Sequence, residues 1–215
     1  MISTIETRVK KAVDNLLAKP NLQKLVEEYL KGPPETKFAG RLFDELKFNK
    51  PNVVEASDLV AVSLLDVRFG ASAVKKLLEE EFLNQDLGEI PTNQDLWDVS
   101  EDVLTNLENT FLKLKELDGV GRTKATKLLA RKRPRVAPIS DSVVENFYGL
   151  PEWEYLRPLR RLLGSNSSYV KQIEGLIEPQ IGYAPTVLRI LDISIWMTSS
   201  NSRAARNCRE KFDFS

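Results

Sequence analysis

Apolar residues recur along this chain at the three- and four-residue spacing of a helix, and strict alternation never persists long enough to suggest a strand. Ile2, Ile5, Val9, Val13, Leu16 and Leu17 trace one face of a first helix. The same spacing predicts helices from about Leu22 to Leu30, Thr36 to Leu46, Ser57 to Val67 with Ser57 as cap, and Ala71 to Phe82. Pro20, Gly32-Pro33-Pro34, Pro51 and Gly70 punctuate them. A loop is expected from Asn84 to Thr92, where Gly88 and Pro91 interrupt the pattern. A longer helix should open with Ser100 as cap, with Glu101 and Asp102 complementing its dipole, and end near Leu117. The next runs from about Arg122 to Arg131 and stops at Arg133-Pro134-Arg135, because proline disfavours a helical predecessor. Beyond extended Val136-Ala137-Pro138-Ile139 come a helix from Ser140 to about Phe147 and another opened by Pro151 that ends near Gly164. Two more follow, one capped by Ser167 or Ser168 and one with Pro185 near its first turn. The tail from Ser199 reads as polar and loosely held. The fold class is all-α, and no repeat or long linker divides residues 1–215.

Within this pattern, residues 112–131 form a helix-hairpin-helix whose turn is Gly119-Val120-Gly121. Glycine permits the positive φ angles of so tight a turn, while Val120 can tuck inward and Ala125 keeps the helix crossing close. The amides of Gly119 to Thr123 open the second helix without intrahelical partners, and the helix dipole there favours an anion. A phosphate suits that place. The plainer alternative is a helix-to-helix turn that touches no ligand.

Charge changes the picture locally rather than globally. Lys plus Arg is 31 and Asp plus Glu is 31, so the totals cancel. Between Gly119 and Arg135, however, seven basic residues occur with no acidic one: Arg122, Lys124, Lys127, Arg131, Lys132, Arg133 and Arg135. Beside a phosphate-binding turn, this run is expected to face DNA, although a merely solvated surface would also account for it. The expected DNA contacts are therefore Gly119, Val120, Gly121, Arg122, Thr123, Lys124, Lys127, Arg131, Lys132, Arg133 and Arg135.

Composition narrows the chemistry. There is no histidine, which removes the usual zinc ligand and the usual general base near neutral pH. The single cysteine, Cys208, excludes an internal disulfide and suits a reducing compartment, so a cytoplasmic location is expected. No leader-like or membrane-spanning apolar run is present, and neither secretion nor a membrane partner is expected. Catalysis, if present, must use carboxylates or lysines.

Leu117-Asp118-Gly119-Val120-Gly121 followed by Pro138-Ile139-Ser140-Asp141-Ser142-Val143 resembles the helix-hairpin-helix DNA glycosylase superfamily, the endonuclease III and adenine glycosylase group. The interval from Thr123 to Asp141 matches that family's spacing between its lysine-or-substitute position and its catalytic aspartate. Asp95-Leu96-Trp97-Asp98 and the run from Lys127 to Arg135 also resemble an uncharacterised bacterial family. The glycosylase resemblance implies a multi-helix fold with two helical lobes around a cleft, a monomer, and Asp141 as the catalytic carboxylate. It departs from the family at Asp118, where proline is usual, and at Ser142-Val143, where Thr-His is usual. The cysteines that hold an iron-sulfur cluster in some members are absent, so no cofactor and no metal is expected. Thr123, where bifunctional members carry their amine, implies hydrolysis without lyase activity. Lys124, one residue on and about 100° around the helix, remains an alternative nucleophile.

The implied reaction removes a damaged, mispaired or modified base flipped from DNA and leaves an abasic site. Breaking an N-glycosidic bond builds positive charge on the sugar, which a carboxylate stabilises while it steers water. Ser140-Asp141-Ser142 equally suits a helix cap. Trp97, Phe111, Tyr148, Trp153 and Tyr155 are candidates for stacking on a base or for the core, and Arg157, Arg160 and Arg161 for a second phosphate contact or an exposed face. Trp196 reads as core. Two further readings stay open: a non-catalytic helix-hairpin-helix DNA-binding protein, and a helical protein-interaction domain.

Overall fold

The structure, a computed structural model, describes residues 4–31, 38–46, 50–79, 82–165, 167–178 and 184–214. Among these residues it is entirely helical, with no strand. The chain divides into two compact units, one made of Ala39–Ile139 and the other of Met1–Phe38 with Ser140–Ser215. No helix among the described residues is long and apolar enough to cross a membrane.

The Ala39–Ile139 unit begins with a 3-10 turn, Ala39–Arg41, and a single-turn helix, α3 (Leu42–Glu45). These replace most of the helix expected from Thr36 to Leu46, whose first two residues lie outside the described ones. Three short helices follow: α4 (Ala56–Ser63), α5 (Ala71–Leu77) and α6 (Asn84–Gly88). The last occupies the expected loop, and α4 starts after Glu55 rather than at a Ser57 cap. Asp58 takes over capping, because its Oδ2 accepts the Glu55 amide at 3.0 Å. The two long helices are α7 (Glu101–Lys115), capped by Ser100 as expected, and α8 (Gly121–Lys132).

Short helices leave the carbonyls of their last turn without partners, and α8 answers that need from the inside. Lys127 Nζ donates to Leu65 O, just past α4, at 2.8 Å. The Arg131 guanidinium donates to Phe43 O at 2.6 Å and to Leu46 O, both at the end of α3. Arg133 reaches the end of α6 through Ile90 O at 2.6 Å and Leu87 O, and reaches Pro51 O, Lys132 O and Asn52 Oδ1 as well. Those five bonds match the five N–H donors of a guanidinium. Burial pulls the Arg133 pKa down to about 10, which still leaves it charged at neutral pH. Lys132 donates to Lys50 O and to Asp58 Oδ2, each at 2.8 Å, while Arg131 Nε meets Asp58 Oδ1 at 3.2 Å. Burial holds the Lys132 ammonium below the usual lysine range, and Asp58 opposes that shift.

The other unit holds α1 (Thr4–Leu17), α2 (Leu22–Lys31), α9 (Ser142–Tyr148), α10 (Leu156–Ser165), α11 (Ser167–Glu174), α12 (Val187–Ser199) and α13 (Arg203–Lys211). Its centre is α12, apolar around most of its circumference and packed against α2, α9, α11 and α13. Tyr29, Phe38 and Trp196 form an aromatic cluster beside it, and Arg189 joins Tyr29 to Asp192. The tail expected to be loose is helical: Ser202 caps α13 through the Ala205 amide, and Ala205 and Cys208 are buried. Tyr148 stacks on Tyr155 at 4.5 Å between ring centroids. Its buried hydroxyl has no hydrogen-bond partner among the described residues, and burial pushes its pKa up.

Two stability predictions follow from these interiors. Asp58→Asn leaves Arg131 and Lys132 buried without their carboxylate, and is expected to cost about 3–5 kcal/mol in urea unfolding. A loss below about 1 kcal/mol would mean that carbonyls alone hold the cations. Tyr148→Phe removes an unsatisfied hydroxyl and is expected to be neutral or to stabilise by up to about 1 kcal/mol. A clear loss of stability would show that the hydroxyl is hydrogen-bonded in solution.

Candidate nucleic-acid interface

Helices α7 and α8 pack along each other, with Leu114, Ala125, Leu128 and Leu129 buried between or beneath them. The turn joining them holds Gly119 at φ +75 and Gly121 at φ +63, in the left-handed region that side chains rarely adopt. Val120 is buried, and its amide bonds to Leu117 O at 2.9 Å. The valine thus pins the turn, while both glycines lie on the surface. A Cβ built on either glycine would meet nothing within 4 Å, so both positions open onto free space. Among the described residues, no backbone carbonyl takes up the amides of Gly119, Gly121 or Thr123.

The cations around this turn sort into two groups. Arg122 is exposed beside the amides, and Thr123 is half-buried. Lys124 donates to Gly119 O and lies 6.0 Å from the centre of the Phe69 ring, so it braces the turn. Arg135 is exposed and ion-paired with Asp95. The remaining four leave the surface entirely. Lys127 is 7% exposed, Arg131 3%, Lys132 1% and Arg133 1%. The sequence leads these four to be expected against DNA, but the fold buries them: their donors are spent on the carbonyls at the ends of α3, α4 and α6, on Lys50 O and Pro51 O, and on Asp58. Nothing in the spacing announces this, since an acid-free basic run reads as a surface until the helix ends that converge on it are known.

Asp141 belongs to the other unit and is the N-cap of α9. Its Oδ1 accepts the Val143 amide at 3.0 Å and the Val144 amide at 3.2 Å. The residue is half-buried. Ser140, fully buried beside it, donates to Glu152 O at 2.8 Å and shares a hydrogen bond with Tyr155. The cap geometry fixes the carboxylate at the N-terminus of α9. Capping by itself accounts for the position of Asp141.

Of the aromatic candidates, Phe111, Tyr148, Trp153 and Tyr155 are buried and serve the core, whereas Trp97 and Trp196 are half-buried. Arg161 is exposed and ion-paired with Glu6, and Arg157 and Arg160 are half-buried. Among the described residues no cluster of three or more His, Cys, Asp or Glu is arranged to hold a metal ion.

These features define a helical protein with an open glycine hairpin in one unit and a helix-capping carboxylate in the other. The chain belongs to DUF6308, a family of unknown function whose model matches residues 22–199. That span contains the hairpin, the cation-filled interior of Ala39–Ile139 and Asp141, and it leaves α1 and α13 outside. No curated protein and no solved structure matches the chain.

The left-handed glycines yield a direct test. Because a Cβ at Gly121 would find open space, Gly121→Ala costs only backbone strain, about 1–2 kcal/mol of stability. Thermal or chemical unfolding measures it, and an unchanged stability would mean that the turn relaxes out of its left-handed conformation.

Proposed function

We propose that the chain binds the backbone of DNA through the Gly119-Val120-Gly121 hairpin and acts as a DNA N-glycosylase without lyase activity, with Asp141 as its catalytic carboxylate. The observation carrying the first half is the set of open amides at Gly119, Gly121 and Thr123, aligned with the N-terminus of α8 and flanked by exposed Arg122. A phosphate oxygen there accepts N–H bonds in the favourable field of the helix dipole. The grip is sequence-independent, because every nucleotide carries the same phosphate.

The second half is supported by the match in spacing between Thr123 and Asp141, and by a half-buried aspartate whose carboxylate is fixed by two amides. In the proposed reaction water oxygen bonds to C1′ as the C1′–N bond breaks and its electron pair leaves with the base. Asp141 offsets the positive charge that develops on the sugar and takes the proton from water. A protein that grips DNA without catalysis is the second reading, and it is favoured by the fact that capping alone explains the position of Asp141.

Two measurements separate these readings. With Lys127, Arg131, Lys132 and Arg133 occupied inside the fold, at most three cations of the run lie at the surface, so the slope of log affinity against log salt should be no steeper than about −3. The full basic run would instead give about −6. Arg122→Glu should weaken binding regardless of sequence, and salt-independent binding or an unchanged affinity would contradict the grip. For the chemistry, duplexes with varied damaged or modified bases are incubated with the protein and then treated with alkali to reveal abasic sites. Asparagine caps helices as well as aspartate does, so Asp141→Asn should keep the fold and the binding while losing scission. Binding with no alkali-labile site on any substrate would leave the grip and remove the enzyme.

A further inference from the structure

The C-terminal end of α13 carries a feature that neither the hairpin nor Asp141 uses. Phe212 caps the helix and Asp213 takes φ +48, while the amides of Asp213 and Phe214 bond back to Glu210 O at 3.3 Å and Arg209 O at 2.9 Å. This pair of bonds is the Schellman pattern, with aspartate in the left-handed place that glycine commonly takes. It reverses the chain, so that Phe214 borders the helix that precedes it. An open groove of ≈ 710 Å³ results, lined by Arg206, Arg209, Glu210, Asp213 and Phe214. The groove is shallow and faces solvent, so a ligand in it is held by its edge contacts rather than by enclosure.

The charges in this groove differ in how far the fold already uses them. Arg209 donates to Met197 O at 2.6 Å and to Ser200 O at 2.8 Å, and so caps the end of α12. Burial first, and neighbouring Arg206 second, hold the Arg209 guanidinium below its usual pKa. Arg206 is exposed, and among the described residues its guanidinium has no hydrogen-bond or ion-pair partner. Arg203, one turn earlier, is in the same condition. Lys19 Nζ lies over one face of the Phe214 ring, 5.0 Å from its centre, which leaves the opposite face for a ligand. Glu210 and Asp213 contribute exposed carboxylates, which are hydrogen-bond acceptors.

A simple inorganic anion would meet those carboxylates as repulsion, and an apolar ligand would leave both charge types unanswered. A ligand with an anionic end, a flat ring and N–H donors answers all of them. We propose that this groove binds a nucleotide, its phosphate on Arg206, its base against Phe214, and its base N–H groups on Glu210 and Asp213. Aromatic stacking on a base is tolerant of sequence, so the carboxylates rather than the ring would set any preference for amino-bearing bases.

Calorimetric titration of the intact chain with adenosine 5′-monophosphate, with inorganic phosphate and with a single-stranded hexadeoxyadenylate tests this. The oligonucleotide arm is run in the Arg122→Glu background, which weakens any contribution from the hairpin, and the effect of Arg206→Glu is read within that background. Saturable binding of the monophosphate, weakened at least tenfold by Arg206→Glu and by Phe214→Ala, is the expected result, with inorganic phosphate much weaker. Arg206 supports nothing else in the described fold, so its reversal tests the groove rather than folding. If the oligonucleotide also binds and Arg206→Glu weakens it equally, the nucleotide is one within a strand; if only the monophosphate binds, it is free. No binding of either, an affinity unaltered by Arg206→Glu, or phosphate binding as tightly as the monophosphate would overturn the proposal. None of these outcomes depends on whether the hairpin grips DNA.

Discussion

A carbonyl at the end of a helix must find a donor, and in the Ala39–Ile139 unit those donors come from the side chains of one helix. Lys127, Arg131 and the adjoining Arg133 reach from α8 to carbonyls at the ends of α4, α3 and α6, while Lys132 bonds to Lys50 O and Asp58. Helices of four to eight residues have little stability of their own. What fixes them is the satisfaction of their last carbonyls by charged donors, which make stronger hydrogen bonds than neutral ones. Asp58 completes the arrangement by pairing with Arg131 and Lys132 while capping the start of α4. The same helix, α8, presents the glycine hairpin at its other end. The bonds of Lys127, Arg131, Lys132 and Arg133 anchor the C-terminal half of α8, while the hairpin at its other end stays on the surface.

Much of the helical layout was legible because amphipathic spacing and caps are local. The Ser100 cap, the two helices flanking Gly119 to Gly121 and the cap preceding Ser142 all follow from neighbouring residues alone. The failures lie where the answer depends on distant chain. A basic run looks the same in sequence whether it faces water or a set of carbonyls, so the burial of Lys127 to Arg133 was hidden. Helix α6, five residues long, is too short to show periodicity. The tail is a different case: Ser202 followed by Ala205, Cys208 and Phe212 at helical spacing was a usable signal, masked by the surrounding arginines.

The site picture changes accordingly. Sequence reasoning placed eleven residues against DNA, and the structure leaves the hairpin backbone with Arg122, Lys124 and Arg135 as the surface part of that set. The proposed grip therefore depends more on backbone amides and less on accumulated positive charge. Such a contact is geometric: it holds one phosphate firmly rather than attracting a long stretch of strand. Membership of DUF6308 covers both the hairpin and Asp141, while α13 and its groove lie beyond the matched residues. The groove is thus a property of this chain's own C-terminal helix, separate from the elements that the family model spans.

The cations of α8 lie in the interior, and their chemical reactivity reads this out. Native protein is treated with an amine-acetylating reagent, and each lysine is quantified by mass spectrometry. Lys127 and Lys132 should remain unmodified until the protein unfolds, while exposed Lys10 and Lys211 react at once. Acetylation of Lys132 in the native protein at the rate of Lys10 would contradict the account, because that ammonium would then face water and not the carbonyl of Lys50 and the carboxylate of Asp58.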